Sequence, residues 1–293
     1  MTSDLDDILL RWGAVTPHDV DAGGRVGVLA AHDFAYVGRA LTIPEFAAYV
    51  ETYDFGAIPP DYIVLHHTAV PTVAQWTERE SGLDQDQIKT KRLRQLAGIR
   101  DYYQHRLGWD AGPHLFVDDA WVYLFTPMDT VGIHAAQGNS TTVNGRLHYS
   151  IGIEVVGDYT KRAWSDATAQ NVAQAVALLH QRLGTFALVD GPGPGKVGAH
   201  RMYNKPSCPG AKITADYYLP LIRHARAALD APRPTETRRA GHYGAMVRED
   251  YRATGAACAY LPPGSELVLD TFAQGGYRHL ASGLGFVAEG DVI

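Results

Sequence analysis

The stretch YIVLHHTAV, Tyr62–Val70, decides how this chain is read. Its first four residues have strand character, and they run straight into two adjacent histidines, His66 and His67. The end of a strand fixes an imidazole at the rim of a sheet, where a metal can meet solvent and substrate. A second stretch, VGAHRMYNKPSCPG (197–210), ends a short strand-like run on His200 and places Cys208 eight residues later, in a loop closed by Pro209-Gly210. Imidazole nitrogen and thiolate sulfur are ligands that zinc prefers, and three protein ligands leave a fourth position open. A metal held there acidifies water and polarises a carbonyl. The bland alternatives stand beside this one. Thirteen histidines are many, most serve as surface or hydrogen-bonded groups, and a single cysteine is commonly a small buried apolar residue. Spacing alone does not join residues 66 and 200.

The rest of the chain sets bounds. Its 293 residues suffice for one large domain and a small one. Apolar residues make up 46% and charged residues 20%, a composition that buries a core. The formal charge of -6 argues against a general nucleic-acid binder. Two cysteines, Cys208 and Cys258, are too few for a disulfide framework. The acidic start MTSDLDDILLRWGAV lacks a basic segment followed by a long apolar one, and no run of about 18 apolar residues is present. The expectation is a chain that is cytoplasmic as synthesised, with no membrane insertion.

Along the chain, DDILLRWG and TIPEFAAYVETY predict short helices, the second started by Thr42 and Pro44, within an N-terminal helical extension over 1–59. Residues 84–107 predict a long helix. HLFV and WVYLF predict strands on either side of a turn at Asp118-Asp119, and SIGIEVVG predicts another strand. Alternation there puts Ile151, Ile153 and Val155 on one face and Gly152, Glu154 and Val156 on the other. Ser165 caps a helix through about Leu183, and a last helix from Thr214 to Leu229 carries Pro220 in its early turns, where a break is expected. Residues 230–244, proline-rich and charged, read as a linker. Short β-like runs between glycine-rich turns over 245–293 predict a small β-barrel.

Four segments in order, YIVLHHTAV, WVYLFTPMDTVGIHAAQGN, YSIGIEVVGDY and HRMYNKPSCPG, resemble the zinc-dependent N-acetylmuramoyl-L-alanine amidases of the type 2 family. That family includes the phage lysozyme-type amidases and the animal peptidoglycan-recognition proteins. The resemblance covers about residues 60–229. It implies an α/β fold with a mixed central β-sheet flanked by helices. It implies one Zn2+ per chain, held by His66, His200 and Cys208, and hence no bridge to Cys258. It places His67 as a buttress or cleft-lining group, His134 and Asn139 beside the substrate groove, and Glu154 as general base or as a partner that orients a ligand histidine. Two positions depart from the family pattern. Pro113 stands where many members carry a tyrosine, so His114, another tyrosine or Glu154 alone takes its place. Pro206 stands where the phage enzymes carry lysine, and Lys205 precedes it, either as an oxyanion partner or as a solvated loop residue. The tail from Cys258 resembles bacterial SH3-like domains, with Tyr277 and Phe286 at the two tryptophan positions. The expected activity is hydrolysis of the amide between N-acetylmuramic acid and L-alanine, in an endolysin-type enzyme whose partner is peptidoglycan or a muropeptide. The rival readings are a non-catalytic peptidoglycan receptor and an assembly protein with a retained amidase scaffold.

Overall fold

The computed structural model describes residues 33–231, 235–248, 257–274, 277–280 and 286–293. The predicted helix DDILLRWG lies outside them. The chain divides into two compact units, Met1–Leu229 and Asp230–Ile293.

The first unit is built on a mixed sheet of β1 (Arg39–Leu41), β2 (Tyr62–His67), β3 (Leu115–Val117), β4 (Val122–Leu124), β5 (Ser140–Val143), β6 (Arg146–Val155) and β7 (Val197–Ala199). The order is β1-β4-β3-β6-β2-β7, with β5 paired to β6 as a hairpin. The three central pairings, β3 with β6, β6 with β2 and β2 with β7, are parallel, while β4 and β1 add antiparallel strands. Central parallel strands are covered on both faces, which is why Tyr62–Leu65 reads as a continuous apolar run.

Side-chain alternation divides the core. Ile63, Leu65, Leu115, Val117, Ile151, Ile153 and Val155 pack with helices α1 (Ile43–Thr52), α4 (Asp166–Leu183) and α5 (Ala215–Asp230). Phe116, Tyr123 and Val156 pack with Trp76 of α2 (Val73–Trp76) and with Leu96 and Ile99 of α3 (Gln85–Arg106). The helix ends follow their caps. The hydroxyl of Ser165 accepts from the Thr168 N–H, Asp84 accepts from the Gln87 N–H, and Gly184 ends α4 in the left-handed region at φ 63°. α5 runs through Pro220 without a break. The turn at Asp118-Asp119 is an anchor as well as a turn. Asp118 accepts from the backbone N–H groups of Ala120 and Trp121, from Trp76 Nε1, from the Tyr123 hydroxyl and from the buried Arg92.

Two segments differ from their sequence reading. The N-terminal extension is not only helical. Arg39–Leu41 forms the edge strand β1, and Leu41, Phe46, Val50 and Phe55 enter the main core. Three residues are too few to show a period of two, so this strand is specified by its partner β4. Within the expected linker, Thr235–Arg239 forms β8, paired antiparallel with β11 (Glu266–Gln274) from Arg239↔Glu266 to Thr235↔Asp270. TETRR lacks apolar periodicity because β8 is the last strand of its sheet, and charge suits an edge.

The second unit is an antiparallel six-stranded sheet in the order β10-β9-β13-β12-β11-β8, where β9 is Ala245–Arg248, β10 Ala257–Leu261, β12 Tyr277–Leu280 and β13 Phe286–Ala288. Ala240, Ala245, Val247, Leu267, Leu269, Leu280 and Val287 form its small core. No helix among the described residues is long and apolar enough to cross a membrane.

Candidate metal and active site

Register builds the site. β2 and β6 pair in parallel with His66 opposite Glu154, and β2 and β7 pair with Leu65 opposite Ala199, one residue before His200. His66 follows Tyr62 and Val64 on their face, the same face to which Gly152 and Glu154 belong on β6. β7 ends at Ala199, and His200–Tyr203 makes one 3-10 turn that leads into the Cys208 loop. That loop is closed by the Cys208 N–H donating to Lys205 O at 2.9 Å and the Arg201 N–H donating to Cys208 O at 2.9 Å.

The result is a compact group. One ligand atom each from His66, His200 and Cys208 lies within 4.8 Å of the others. His66 Nδ1 is 2.9 Å from His200 Nδ1 and 3.9 Å from Cys208 Sγ. Two nitrogens bound tetrahedrally at about 2.0 Å from zinc would stand about 3.3 Å apart, so these donors need move only tenths of an ångström to close on an ion. The chemistry of the set agrees. Burial, followed by the charge of Glu154, pushes the Cys208 thiol far above its ordinary value, so a thiolate here calls for a cation. The N–H of His67 donates to Cys208 Sγ at 3.4 Å, a contact that favours the thiolate. Burial and the neighbouring histidines hold His66 well below its usual range, neutral and ready to ligate.

Glu154 borders this group. Its Oε1 is 3.8 Å from His66 Nδ1, and its Oε2 is buried with no hydrogen-bond partner. Burial pushes its carboxyl up to about 8. A carboxyl held neutral by desolvation, with one oxygen unpaired, fits a place beside a bound cation.

The other sequence-predicted residues take differing places. His67 is buried and turned toward Tyr159, whose N–H donates to His67 Nδ1 at 3.3 Å. Asn139 braces the loop that carries His134. Its Oδ1 accepts from the N–H groups of His134 and Ala135, at 2.9 and 2.6 Å, and so caps the loop. His134 lies against the metal group, with Nδ1 3.0 Å from His66 Nε2. Lys205 is half-buried, and its charge offsets part of the rise at Cys208. Cys208 is a free thiol. His114 is not a free stand-in for the phenol absent at Pro113. Its Nδ1 accepts from the Gly152 N–H at 3.0 Å, its Nε2 donates to Thr130 O at 2.9 Å, and burial takes it down to about 4. Three residues were missed in the sequence: Ser150, which bonds His134; Gly152, on which the His134 ring rests; and Tyr103 of α3, whose hydroxyl is raised by burial first and then by the charge of Glu154. Ser150 and Gly152 were legible as part of SIGIE, whereas nothing in the sequence links a tyrosine on α3 to β6.

A family profile described as N-acetylmuramoyl-L-alanine amidase matches residues 56–211, more than half of the chain and every residue of this site. The chain belongs to the N-acetylmuramoyl-L-alanine amidase family. The amidase match begins after β1 and α1 and ends before α5 and the second unit, so those parts surround the family's common segment. No curated protein matches the chain. Among solved structures, it is similar to a tyrosine-to-phenylalanine mutant of Drosophila PGRP-LB in complex with tracheal cytotoxin, at 18% identity and a TM-score of 0.42, covering 62% of this chain and 94% of that one. It is also similar to the endolysin amidase LysCS from Clostridium intestinale URNW, at 16% identity and a TM-score of 0.36, covering 60% and 86%. Drosophila PGRP-SA follows at 19% identity and a TM-score of 0.41, covering 56% and 80%.

Proposed function

We propose that this chain is a zinc-dependent amidase of the endolysin type, which hydrolyses the bond between the lactyl group of N-acetylmuramic acid and L-alanine in peptidoglycan. The observation that carries the reading is the convergence of His66, His200 and Cys208 beside the unpaired, buried Oε2 of Glu154. Zinc bound by these three residues would supply Lewis acidity toward the scissile carbonyl and toward water.

The chain's own residues do the remaining work. Glu154 accepts a proton from the attacking water and delivers it to the L-alanine nitrogen as the C–N bond breaks. A nearby dication would offset the burial that raises this carboxyl to about 8 and so favour the ionised base at neutral pH. Lys205 contributes positive charge toward the oxyanion. His67 and Asn139 hold the Cys208 and His134 loops in place. With no phenol at Pro113, Glu154 carries the proton transfer. The second unit acts as an SH3-like module that docks on the wall, and the enzyme is cytoplasmic until released.

The test pairs metal analysis of purified protein with mass spectrometry of peptide released from peptidoglycan. Wild type should carry one zinc per chain and release stem peptide. Cys208→Ser should lose both, and Glu154→Gln should keep zinc and lose cleavage. Stoichiometric zinc with binding but no cleavage of any wall type would establish a receptor instead. Absence of metal under chelator-free conditions would overturn the ligand assignment.

A further inference from the structure

A chain of hydrogen bonds runs from a backbone carbonyl to the metal group, and its direction is forced. Ser150 Oγ lies 2.6 Å from Gly138 O and 3.3 Å from Asn139 O. Carbonyl oxygens only accept, so the single hydroxyl proton of Ser150 is committed to them. Ser150 Oγ is also 3.2 Å from His134 Nε2, and toward that nitrogen it has only lone pairs to offer. Nε2 of His134 therefore carries the proton, and Nδ1 of this neutral ring has the lone pair. That Nδ1 is 3.0 Å from His66 Nε2, which must donate. With its proton on Nε2, His66 is left with a bare Nδ1, the atom that faces His200 and Cys208.

The surroundings hold the relay in place. Asn139 Oδ1 fixes the backbone of His134 and Ala135. The His134 ring lies flush on β6, where a Cβ on Gly152 would come within 2.5 Å of Cγ and 2.6 Å of Cδ2 and Nδ1. Real Cβ contacts do not approach so closely, so only glycine leaves room for the ring. Its two ring nitrogens meet Ser150 and His66, neither of them acidic, and the ring packs against His66 and His114 with centroids 5.0 and 5.7 Å away, so it keeps a single proton.

We infer that His134 is a positioning residue rather than a substrate-binding one: the Gly138–Ser150–His134 relay sets the tautomer of His66 and so selects Nδ1 as its metal-binding atom. Outer partners of this kind typically govern metal affinity by 10- to 100-fold. The inference rests on the zinc reading for its consequence, but the tautomer exists in the metal-free protein and is measured there.

The experiment is 15N–1H correlation spectroscopy of the histidine rings in full-length, metal-free protein, joined to zinc affinity by chelator competition. Wild type should show His66 protonated on Nε2 and bare on Nδ1. His134→Leu removes the acceptor and should give mixed tautomers at His66, with zinc bound about 10-fold or more weakly. His134→Gln retains an acceptor oxygen and should restore the tautomer and most of the affinity. Ser150→Ala, which keeps the His134 ring, should let both histidines populate mixed tautomers. A proton on Nδ1 of wild-type His66 would overturn the inference, as would His134→Leu with wild-type tautomer and affinity. The expected tautomer in a protein that cleaves no peptidoglycan would sustain the relay and sink only the amidase reading. Cleavage with the opposite tautomer would do the reverse.

Discussion

Replacing Glu154 by glutamine tests whether the site stores a proton at neutral pH. The side chain is 14% exposed, its buried Oε2 has no partner, and burial raises the carboxyl from 4.5 to about 8. Between those values the folded protein holds a proton that the unfolded chain has released. The stability that this group allows is therefore complete below about pH 4.5 and is lost as pH climbs toward 8. The slope is about 1.4 kcal/mol per pH unit, and the whole loss is at most about 5 kcal/mol. His66, His114 and His134 act in the opposite sense, because their folded values are lowered and their cost appears as pH falls below about 6.5. Glutamine has nearly the same volume and does not titrate, so the difference between the two proteins isolates Glu154. Metal-free wild type and Glu154→Gln would be unfolded in urea at half-unit steps from pH 4.5 to 8.5. The variant should gain steadily on wild type, reaching a few kcal/mol by pH 8. Parallel curves over that range would mean that Glu154 is an ordinary solvated carboxylate, and the argument from desolvation would fail.

Four other outcomes follow from the structure. Zinc binding at pH 7 should release at least one proton, because the thiol of Cys208 and the carboxyl of Glu154 are both held neutral by burial; calorimetry in buffers of differing ionisation enthalpy reads this number, and no release would contradict it. Gly152→Ala should displace the His134 ring and weaken zinc 10- to 100-fold while the protein stays folded; unchanged affinity in a chelator competition would count against the packing argument. Asp118→Ala strands Trp76 Nε1 and the Tyr123 hydroxyl, while the buried Arg92 keeps Glu80 and Asp119, and should cost about 2–6 kcal/mol in chemical unfolding, about 1–3 for each unpaired buried donor. Arg238→Pro should destabilise the second unit in a thermal melt: the Arg239 N–H donates to Ile293 O, so by alternation the Arg238 N–H points at β11, and a linker would tolerate the change.

The sequence by itself carried the candidate ligands, through the resemblance, and the central strands. YIVLHH and SIGIEVV are apolar because parallel central strands are buried on both faces, and that pattern is local. The caps at Thr42, Asp84 and Ser165 are local as well: Asp84 and Ser165 each accept a backbone N–H three residues on, and Glu45 accepts from the Thr42 N–H. What only the tertiary structure decided is non-local. β1 and β8 are edge strands whose pairing comes from β4 and β11, so TETRR looks like a linker until its partner is known. The resemblance of GIHAAQGN to a family loop placed His134 beside the substrate groove. His134 faces His66 because Gly152, on a strand 18 residues further along, leaves space for its ring. The roles of His114 and Asn139 were likewise set by which atoms they meet across the sheet, namely Gly152 and Thr130 for the first and the His134 backbone for the second. Residue type set which chemistry was available here, and parallel register between β2, β6 and β7 brought residues 66, 154 and 200 to the same end of the sheet, because strands that pair in register carry their ends to a common rim.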